Sequence, residues 1–510
     1  MLAETLREAA RRFGAAPAYV TEEGWALSFE DLDRVSDEVA VGLRARGVAV
    51  GDVLALVLPP GPDYLVAYLA AAKLGAVTAG VNDRLTTTER APVLERAAPR
   101  LVLTGRGLGP AGFDRVEVDA APSLGDLLGC LRVTGAAPPP LPDDPERAVA
   151  IIFTSGTTGI PKGAVYANRQ LAFITANDIG DAWGGGGRTF TGTSFAHLGF
   201  MTKLAGNLRR GGTSYILRRW SAPRSLELLA EHQMTTVAGV PAQLALMLRQ
   251  PDFDDYDLDS VRFIVIGGGP VTPGLADEAR TRFGAALATR YSCTEAGIGL
   301  GTAFDDPDED AVVSVGRPHT AVALAVLDDD DRPVSDGAVG AVCLRSPAVM
   351  TEYWRDQEAT QAAFTRDGFV RTGDLGWVDE RGRLHLVGRT KEMYVRGGYN
   401  VYPVEVESVL STHPDVAAVA VVPRPDPVMG EVGVAVVVAR EPTSPPTLDA
   451  LRAHAGAALA GYKLPEALRI VEALPLTAMD KVDRRVLGHQ VVGGPREPSR
   501  RGDGTGGEPG

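Results

Sequence analysis

The stretch AIIFTSGTTGIPKGAVYANRQ, Ala150 to Gln170, passes from an apolar, β-branched run into a loop of Ser, Thr and Gly closed by Pro161-Lys162-Gly163. The familiar P-loop needs Gly, four residues, then Gly-Lys-Ser/Thr directly opening a helix. Here the glycines are Gly156, Gly159 and Gly163, the lysine precedes the last of them, and a proline divides the stretch. The composition still suits an anion. Successive backbone N–H groups flanked by hydroxyls form a nest, and glycine allows positive φ and close approach to phosphate. The alternative is a plain surface loop between a strand and a helix.

Working outward, 510 residues exceed one compact core, so two or more domains are expected. Apolar residues make up 45% and charged residues 23%, ordinary globular values. With 51 basic and 65 acidic residues the formal charge is −14, which argues against nucleic acid or an anionic membrane as main partner. A nucleotide needs only a local positive patch. Cys130, Cys293 and Cys343 show neither metal spacing nor a disulfide framework, as expected of a reducing cytosol. The N-terminal MLAETLREAARRFG reads as an amphipathic helix and not a signal peptide, and no stretch approaches the ~20 apolar residues of a membrane span. These features predict a cytoplasmic protein.

Strands and helices alternate through the first part. In LSFEDLDRVSDEVAVGLRARGV, Ser28 is the expected N-cap with Asp31 three positions on. DVLALVLPPG predicts a buried strand, and DYLVAYLAAAKLGAVTAGV a helix, a C-cap at Gly75 and another strand. The Pro-rich GAAPPPLPDDPE reads as a connector. Two more βα units follow, in SLELLAEHQMTTVAGVP and VRFIVIGGGPVTPGLADEARTRFG. The strand of the second runs into Gly267-Gly268-Gly269-Pro270, where ligands approach the carboxyl ends of a parallel sheet. After about Ala311 the pattern changes to hairpins, ALAVLDDDDRPVSDGAVGAVCLRS and GWVDERGRLHLVGR, with Asp328 to Asp331 as a solvated turn. A small α+β unit starts at Lys391, and the Gly/Pro-rich tail is expected to be disordered. The fold class is therefore α/β. It comprises a large N-terminal domain of βαβ units with mainly parallel sheets and a small β-barrel-like part, and a small mobile α+β C-terminal domain. The expected boundaries are 1–388, a hinge at 389–391, 392–490 and a tail at 491–510.

Five separated stretches, in order, resemble the adenylate-forming superfamily of acyl-CoA synthetases, peptide-synthetase adenylation domains and beetle luciferases. They are Thr154–Gly163, Tyr291-Ser-Cys-Thr-Glu295, Arg371-Thr-Gly-Asp374, Gly388-Arg-Thr-Lys391 and Pro475-Leu-Thr-Ala-Met-Asp-Lys481. The similarity runs from about residue 4 to 487. It implies ATP, Mg²⁺ and coenzyme A as the small molecules handled, with ATP phosphates held at Thr154, Ser155, Gly156, Thr157, Thr158, Gly159 and Lys162. Nucleotide contacts are implied at Gly268, Gly269, Pro270, Tyr291 (stacked on adenine), Ser292, Thr294, Asp374 and Arg389 (both toward ribose). Base–aromatic stacking contributes about 1–3 kcal/mol. Glu295 is the implied Mg²⁺ ligand; Thr294, Glu295, His197 and Lys481 form the implied catalytic set, with Lys481 bridging the substrate carboxylate and the α-phosphate. Lys391 corresponds to the hinge, and Gly397, Gly398 and Tyr399 to a pantetheine tunnel. Two residues depart from the family pattern: Ser292 and Asp480 stand where glycine is usual.

The acyl pocket is expected around Phe195, His197, Gly267, Gly268 and Arg290, with the glycines leaving room for a bulky acyl group. His197 stands two after Phe195, where amino-acid-activating domains carry an aspartate, so an amino-acid substrate is not expected. Arg290 either pairs a second substrate carboxylate, as in malonate-activating relatives, or points outward to an acidic neighbour. The resemblance leads to an ATP-dependent acid–CoA ligase. The alternatives are an acyl-AMP ligase delivering to a carrier protein, a malonate-like dicarboxylate–CoA ligase, and a degenerate adenylate-binding module. Only 15 positions separate Asp374 from Arg389 (389 − 374), so no insertion of the dedicated acyl-AMP ligase kind is seen there. Neither nucleic acid nor a membrane span is expected, and a homodimer stays open.

Overall fold

In the computed structural model, which describes residues 1–154, 161–269 and 271–492, Ala148–Phe153 and Gly163–Ala167 pair antiparallel as the edge of a six-stranded sheet. The opening stretch is therefore a hairpin, and the helix Asn168–Ile179 follows only after its second strand. The small residues explain this. A Cβ at Gly163 would fall 2.5 Å from Ile151 Cγ2, so the two strands close tightly only with glycine there. The rest of this sheet is parallel, in the order Arg115–Val118, Leu101–Gly105, Val53–Val57, Val77–Gly80, Ala148–Phe153. Val53–Val57 is buried along its whole length, as an apolar strand covered on both faces must be.

The local signals act as their chemistry dictates. Ser28 Oγ accepts from Asp31 N at 3.0 Å and caps Phe29–Ala45. Gly75, at φ 72°, ends Pro62–Leu74 ahead of Val77–Gly80. A second sheet runs Thr236–Gly239, Phe263–Gly267, Ala286–Tyr291 in parallel, then Leu300–Gly301 and Arg317–Pro318 antiparallel. A third mixes Ala26–Ser28, Pro17–Val20, Thr213–Ile216 and Arg188–Thr191. The hairpin-rich segment is a four-stranded antiparallel sheet, Ala323–Leu327, Gly340–Arg345, Val370–Val378, Leu384–Arg389.

The described chain divides into two compact units. The larger holds Met1–Glu392 together with the short segment Leu476–Lys481; the smaller holds Met393–Pro475 and the residues from Val482. Within the smaller unit, Tyr399–Val401, Tyr394–Arg396, Gly430–Ala439 and Val416–Asp426 form a sheet, with Ala467–Ile470 parallel to Gly430–Ala439. Helices Pro403–Leu410, Leu448–Gly456 and Arg484–Val492 complete it. The fold is thus α/β with mostly parallel sheets in the larger unit and an α+β C-terminal part. The expected tail at 491–510 falls, from residue 493, outside the described residues.

Inside the larger unit Lys73 is fully buried and its ammonium holds Asp33 Oδ1 at 2.6 Å and Asp37 Oδ1 at 2.8 Å, joining two neighbouring helices. Removing one partner of such a network strands the other charges. Lys73→Ala is expected to lower unfolding free energy by about 2 kcal/mol or more. A shifted urea midpoint at unchanged m-value checks this; Lys73→Met, which keeps the packing of the stem, should lose most of the same amount.

Candidate active site

Residues from separate sheets of the larger unit meet beyond the carboxyl ends of its parallel strands. Tyr166, fully buried in the hairpin, donates its hydroxyl to the Thr294 carbonyl at 2.6 Å. Thr294 and Glu295 lie in the turn after Ala286–Tyr291, so this bond ties two sheets together at one point. The segment around Tyr353 adds to the same edge. Val165 N donates to Glu352 O at 2.9 Å and Trp354 N to Gly163 O at 2.7 Å. Tyr353 so placed donates its hydroxyl to Glu295 Oε1 at 2.5 Å, and its ring lies 5.0 Å below the Lys162 ammonium. Thr154 N donates to Lys162 O at 2.9 Å and Lys162 N to Thr154 Oγ1 at 3.3 Å, pinching together the two ends of the Ser/Thr/Gly loop. Ser155, Gly156, Thr157, Thr158 and Gly159, like Pro270, lie outside the described residues.

Asp374 forms the second centre. Buried in the middle of Val370–Val378, its carboxylate accepts from Tyr291 Oη at 2.6 Å and from Arg389 Nε at 2.9 Å. The Asp374–Arg389 contact follows from register, because these residues face each other across the two strands. Burial and the adjacent Asp374 push the Tyr291 phenol well above its ordinary pKa, so it stays a neutral donor. Ser292, the first departure from the family pattern, has an ordinary negative φ and turns its hydroxyl onto Cys293 O at 3.2 Å. Glycine's freedom is not required there.

Lys481, in Leu476–Lys481, completes the group. A Cβ on Gly268, whose φ is +78°, would stand 3.6 Å from Lys481 Cε and 3.9 Å from its Nζ. Burial, with Arg389, lowers the pKa of this ammonium, while Asp374 and Glu392 act in the opposite sense. His197 heads the short helix Leu198–Met201 with its Nε2 at 3.4 Å from Asn82 Nδ2. Its pKa is pushed down to about 4 by burial, then by Lys481 and Arg84, so the ring is neutral at physiological pH.

Several expected pocket residues have other work. Phe195 belongs to the core: its ring stacks on Phe200 at 3.7 Å and meets Tyr64 edge-on at 5.8 Å. At Gly267 a Cβ would fall 2.7 Å from the Arg290 carbonyl, so the neighbouring strand, not acyl room, excludes a side chain. Beside Gly269 lies Pro241, 3.4 Å from where a Cβ would stand. Arg290 gives Nη1 to the carbonyls of Thr289 at 2.8 Å and Thr302 at 2.6 Å; burial lowers its pKa, and Asp178 is the acidic neighbour acting in the opposite sense. Lys391 is exposed, one residue before the larger unit's main span ends at Glu392. In the smaller unit Gly397 and Gly398 take φ 56° and 87° as the two-residue turn between Tyr394–Arg396 and Tyr399–Val401; exposed Tyr399 stacks on Tyr462 at 4.7 Å. Tyr353, Asn82, Arg84 and Gln243 were not expected at the site. None of them stands in a motif or spacing that marks it in the sequence.

A buried carboxylate bound by Tyr and Arg, with a lysine from the segment Leu476–Lys481 nearby, is the arrangement that the described residues present. Residues 6–354 match the AMP-binding enzyme family and 405–481 its C-terminal domain. The chain belongs to this family of adenylate-forming ligases. It is 34% identical over 481 residues to a fatty acid–[acyl-carrier-protein] ligase, ScoC, of Streptomyces coeruleorubidus, covering 91% of this chain and 92% of that one. It is also 34% identical over 499 residues to 3-[(3aS,4S,7aS)-7a-methyl-1,5-dioxo-octahydro-1H-inden-4-yl]propanoyl:CoA ligase of Mycobacterium tuberculosis, covering 92% and 95%. Among solved structures, ATP-bound MatB from Rhodopseudomonas palustris superposes with a TM-score of 0.84 at 27% identity, covering 96% of this chain and 99% of that one. No helix among the described residues is long and apolar enough to cross a membrane.

His197 makes a pH prediction. Its folded-state pKa, about 4, lies below the ordinary 6.5, so between these values the unfolded chain binds the extra proton and stability falls as pH falls. The slope from this group approaches about 1.4 kcal/mol per pH unit inside the window. Urea titrations of wild type and His197→Gln between pH 5 and 7 should diverge accordingly, the variant being the less pH-sensitive.

Proposed function

We propose that this chain is an ATP-dependent acid–CoA ligase. A substrate carboxylate oxygen attacks the α-phosphorus of ATP, the α–β phosphoanhydride bond breaks, and pyrophosphate leaves. The CoA thiol then attacks the acyl carbonyl of the acyl-AMP, expelling AMP and losing its proton. The observation that carries this is the Lys481 ammonium beside Gly268, within electrostatic reach of Arg389 and Asp374. A cation there orients carboxylate against α-phosphate and offsets the charge that builds on phosphorus. Tyr291 would stack on adenine, Asp374 and Arg389 would take the ribose hydroxyls, and the Thr154–Lys162 loop with Thr294 would hold phosphates. The neutral His197 ring would line the carboxylate's approach without adding a charge.

Among the described residues no cluster of three or more His, Cys, Asp or Glu side chains could hold a metal. A lone carboxylate, Glu295, fits Mg²⁺ all the same, because that ion is usually held by one or two carboxylates together with phosphate oxygens. Bound there, Mg²⁺ would neutralise charge on the phosphates. Lys391 would act as hinge for a mobile C-terminal unit, and Gly397, Gly398 and Tyr399 would face the pantetheine arm. Likeness to ScoC favours one further reading, delivery to a carrier protein instead of CoA. The backbone anchoring of Arg290 and its neighbour Asp178 weigh against a second substrate carboxylate.

The test is AMP release with ATP and Mg²⁺ across aliphatic, cyclic, aryl and dicarboxylic acids, with CoA, with a holo carrier protein and with neither. CoA-dependent release on one acid class is expected, and Lys481→Ala should lower it by about a hundredfold or more, on the order of 3 kcal/mol. Release that needs the carrier protein would select the other acceptor. Silence on every acid would remove the ligase reading.

A further inference from the structure

Asp480 takes φ +56°, a conformation that is rare and strained for a residue with a side chain. If the backbone shape were all that mattered there, glycine would supply it without strain. The carboxylate shows what the side chain adds. Its Oδ1 accepts from Arg84 Nη1 at 2.7 Å and its Oδ2 from Gln243 Nε2 at 3.2 Å, with Arg84 and Asp480 both about four-fifths buried. Charge-assisted bonds of this kind are among the stronger ones in proteins. Arg84 follows the strand Val77–Gly80, and Gln243 belongs to the helix Pro241–Leu248, so one carboxylate spans two elements.

A third anchor lies two residues away. Buried Asn82 donates Nδ2 to the Ala478 carbonyl at 3.3 Å, while its Oδ1 accepts from Arg84 N at 2.9 Å, stiffening the segment that presents Arg84. The loop itself is closed. Thr477 N donates to Lys481 O at 2.6 Å, Asp480 N to Thr477 O at 3.0 Å, and Lys481 N to Thr477 Oγ1 at 3.3 Å. In so short a ring Asp480 cannot shift without moving Lys481.

We propose that Arg84, Gln243 and Asp480 form a latch that positions Lys481 for acyl-adenylate formation. They are positioning residues, acting through the loop and not on substrate; the proposal rests on the adenylation reading of Lys481. The latch holds the ammonium beside Gly268 during the first half-reaction, and its polar contacts can exchange for water when the loop leaves. A departure from the family's glycine thus gives this chain a charged hold on the loop.

Acid-dependent pyrophosphate exchange is measured on the full chain for wild type, Asp480→Gly, Asp480→Asn and Arg84→Gln. Glycine relieves the positive φ, so its variant folds without added strain, and asparagine tolerates that φ while keeping hydrogen bonds but not charge. The turnover number should fall about tenfold or more in Asp480→Gly and Arg84→Gln, with KM for ATP changed less than about threefold and Asp480→Asn intermediate. A purely structural defect would not divide kcat from KM in this way. Hydrogen exchange is followed in parallel on the peptide covering residues 476–483. It should speed up in Asp480→Gly and Arg84→Gln while the strand Val77–Gly80 keeps its protection. Unchanged kcat in an active enzyme overturns the latch, as does unchanged exchange of that peptide. A wild type silent on every acid overturns the adenylation reading and with it the catalytic role given to the latch.

Discussion

The hydrogen bond from the Tyr166 hydroxyl to the Thr294 carbonyl is the contact on which the site's geometry depends. It is short, made by a fully buried tyrosine, and joins two sheets that share no strand. An unpaired carbonyl in that place would cost about 1–3 kcal/mol, so the two sheets keep their relation or lose it at a definite cost. From that point other bonds radiate. Met350 N donates to Glu295 O at 2.8 Å, Tyr353 reaches the Glu295 carboxylate, and Lys162 lies over the Tyr353 ring. One tyrosine thus contacts both the Glu295 carboxylate and the Lys162 ammonium and holds them at a fixed separation, as the proposed roles of these two groups require.

The electrostatics of the site run against those of the whole chain. A formal charge of −14 would repel a polyphosphate at long range, but screening removes most of that beyond about 8–10 Å. What counts locally is the ordering of Lys162, Lys481, Arg389 and Arg84 around only a few carboxylates. Asp374 faces Arg389 and Tyr291, and Asp480 faces Arg84, so both carboxylates are tied to a cation, while Asp374 and Glu392 still act on Lys481 through space. Burial first, and the nearby Lys481 and Arg84 after it, keep His197 neutral, since a third positive charge there would be both desolvated and repelled.

Local chemistry was readable from the chain; contacts across long separations were not. Ser28 capping its helix, Gly75 ending another and the alternation of βα units need only neighbours a few residues apart, and all appear. The opening stretch misleads in one respect. Its second apolar run, GAVYA, is as short as a helix start, and only pairing with Ala148–Phe153 makes it a strand. Gly267 and Phe195 mislead in the same way: an absent side chain and an aromatic ring both suit a pocket, yet a neighbouring carbonyl and a packed core account for them. Tyr353 stands in MTEYWRD, with no spacing or motif to mark it, 58 positions from the Glu295 it contacts. Arg84 and Asp480 are separated by 396.

The two departures from the family pattern illustrate what a substitution at a conserved-looking glycine can and cannot mean. Ser292 sits at negative φ, where any residue is accommodated, so its side chain changes little in the backbone. Asp480 sits at positive φ, where a side chain is strained unless something holds it, and Arg84 and Gln243 hold it. Decay of an unused site would leave strain uncompensated, since nothing would select the partners that relieve it. Instead the strained residue is held by two side chains from outside its loop, and the unstrained one bonds within its own turn. Compensation placed where the strain lies favours the proposed reading, a loop retuned, over that of a site falling out of use.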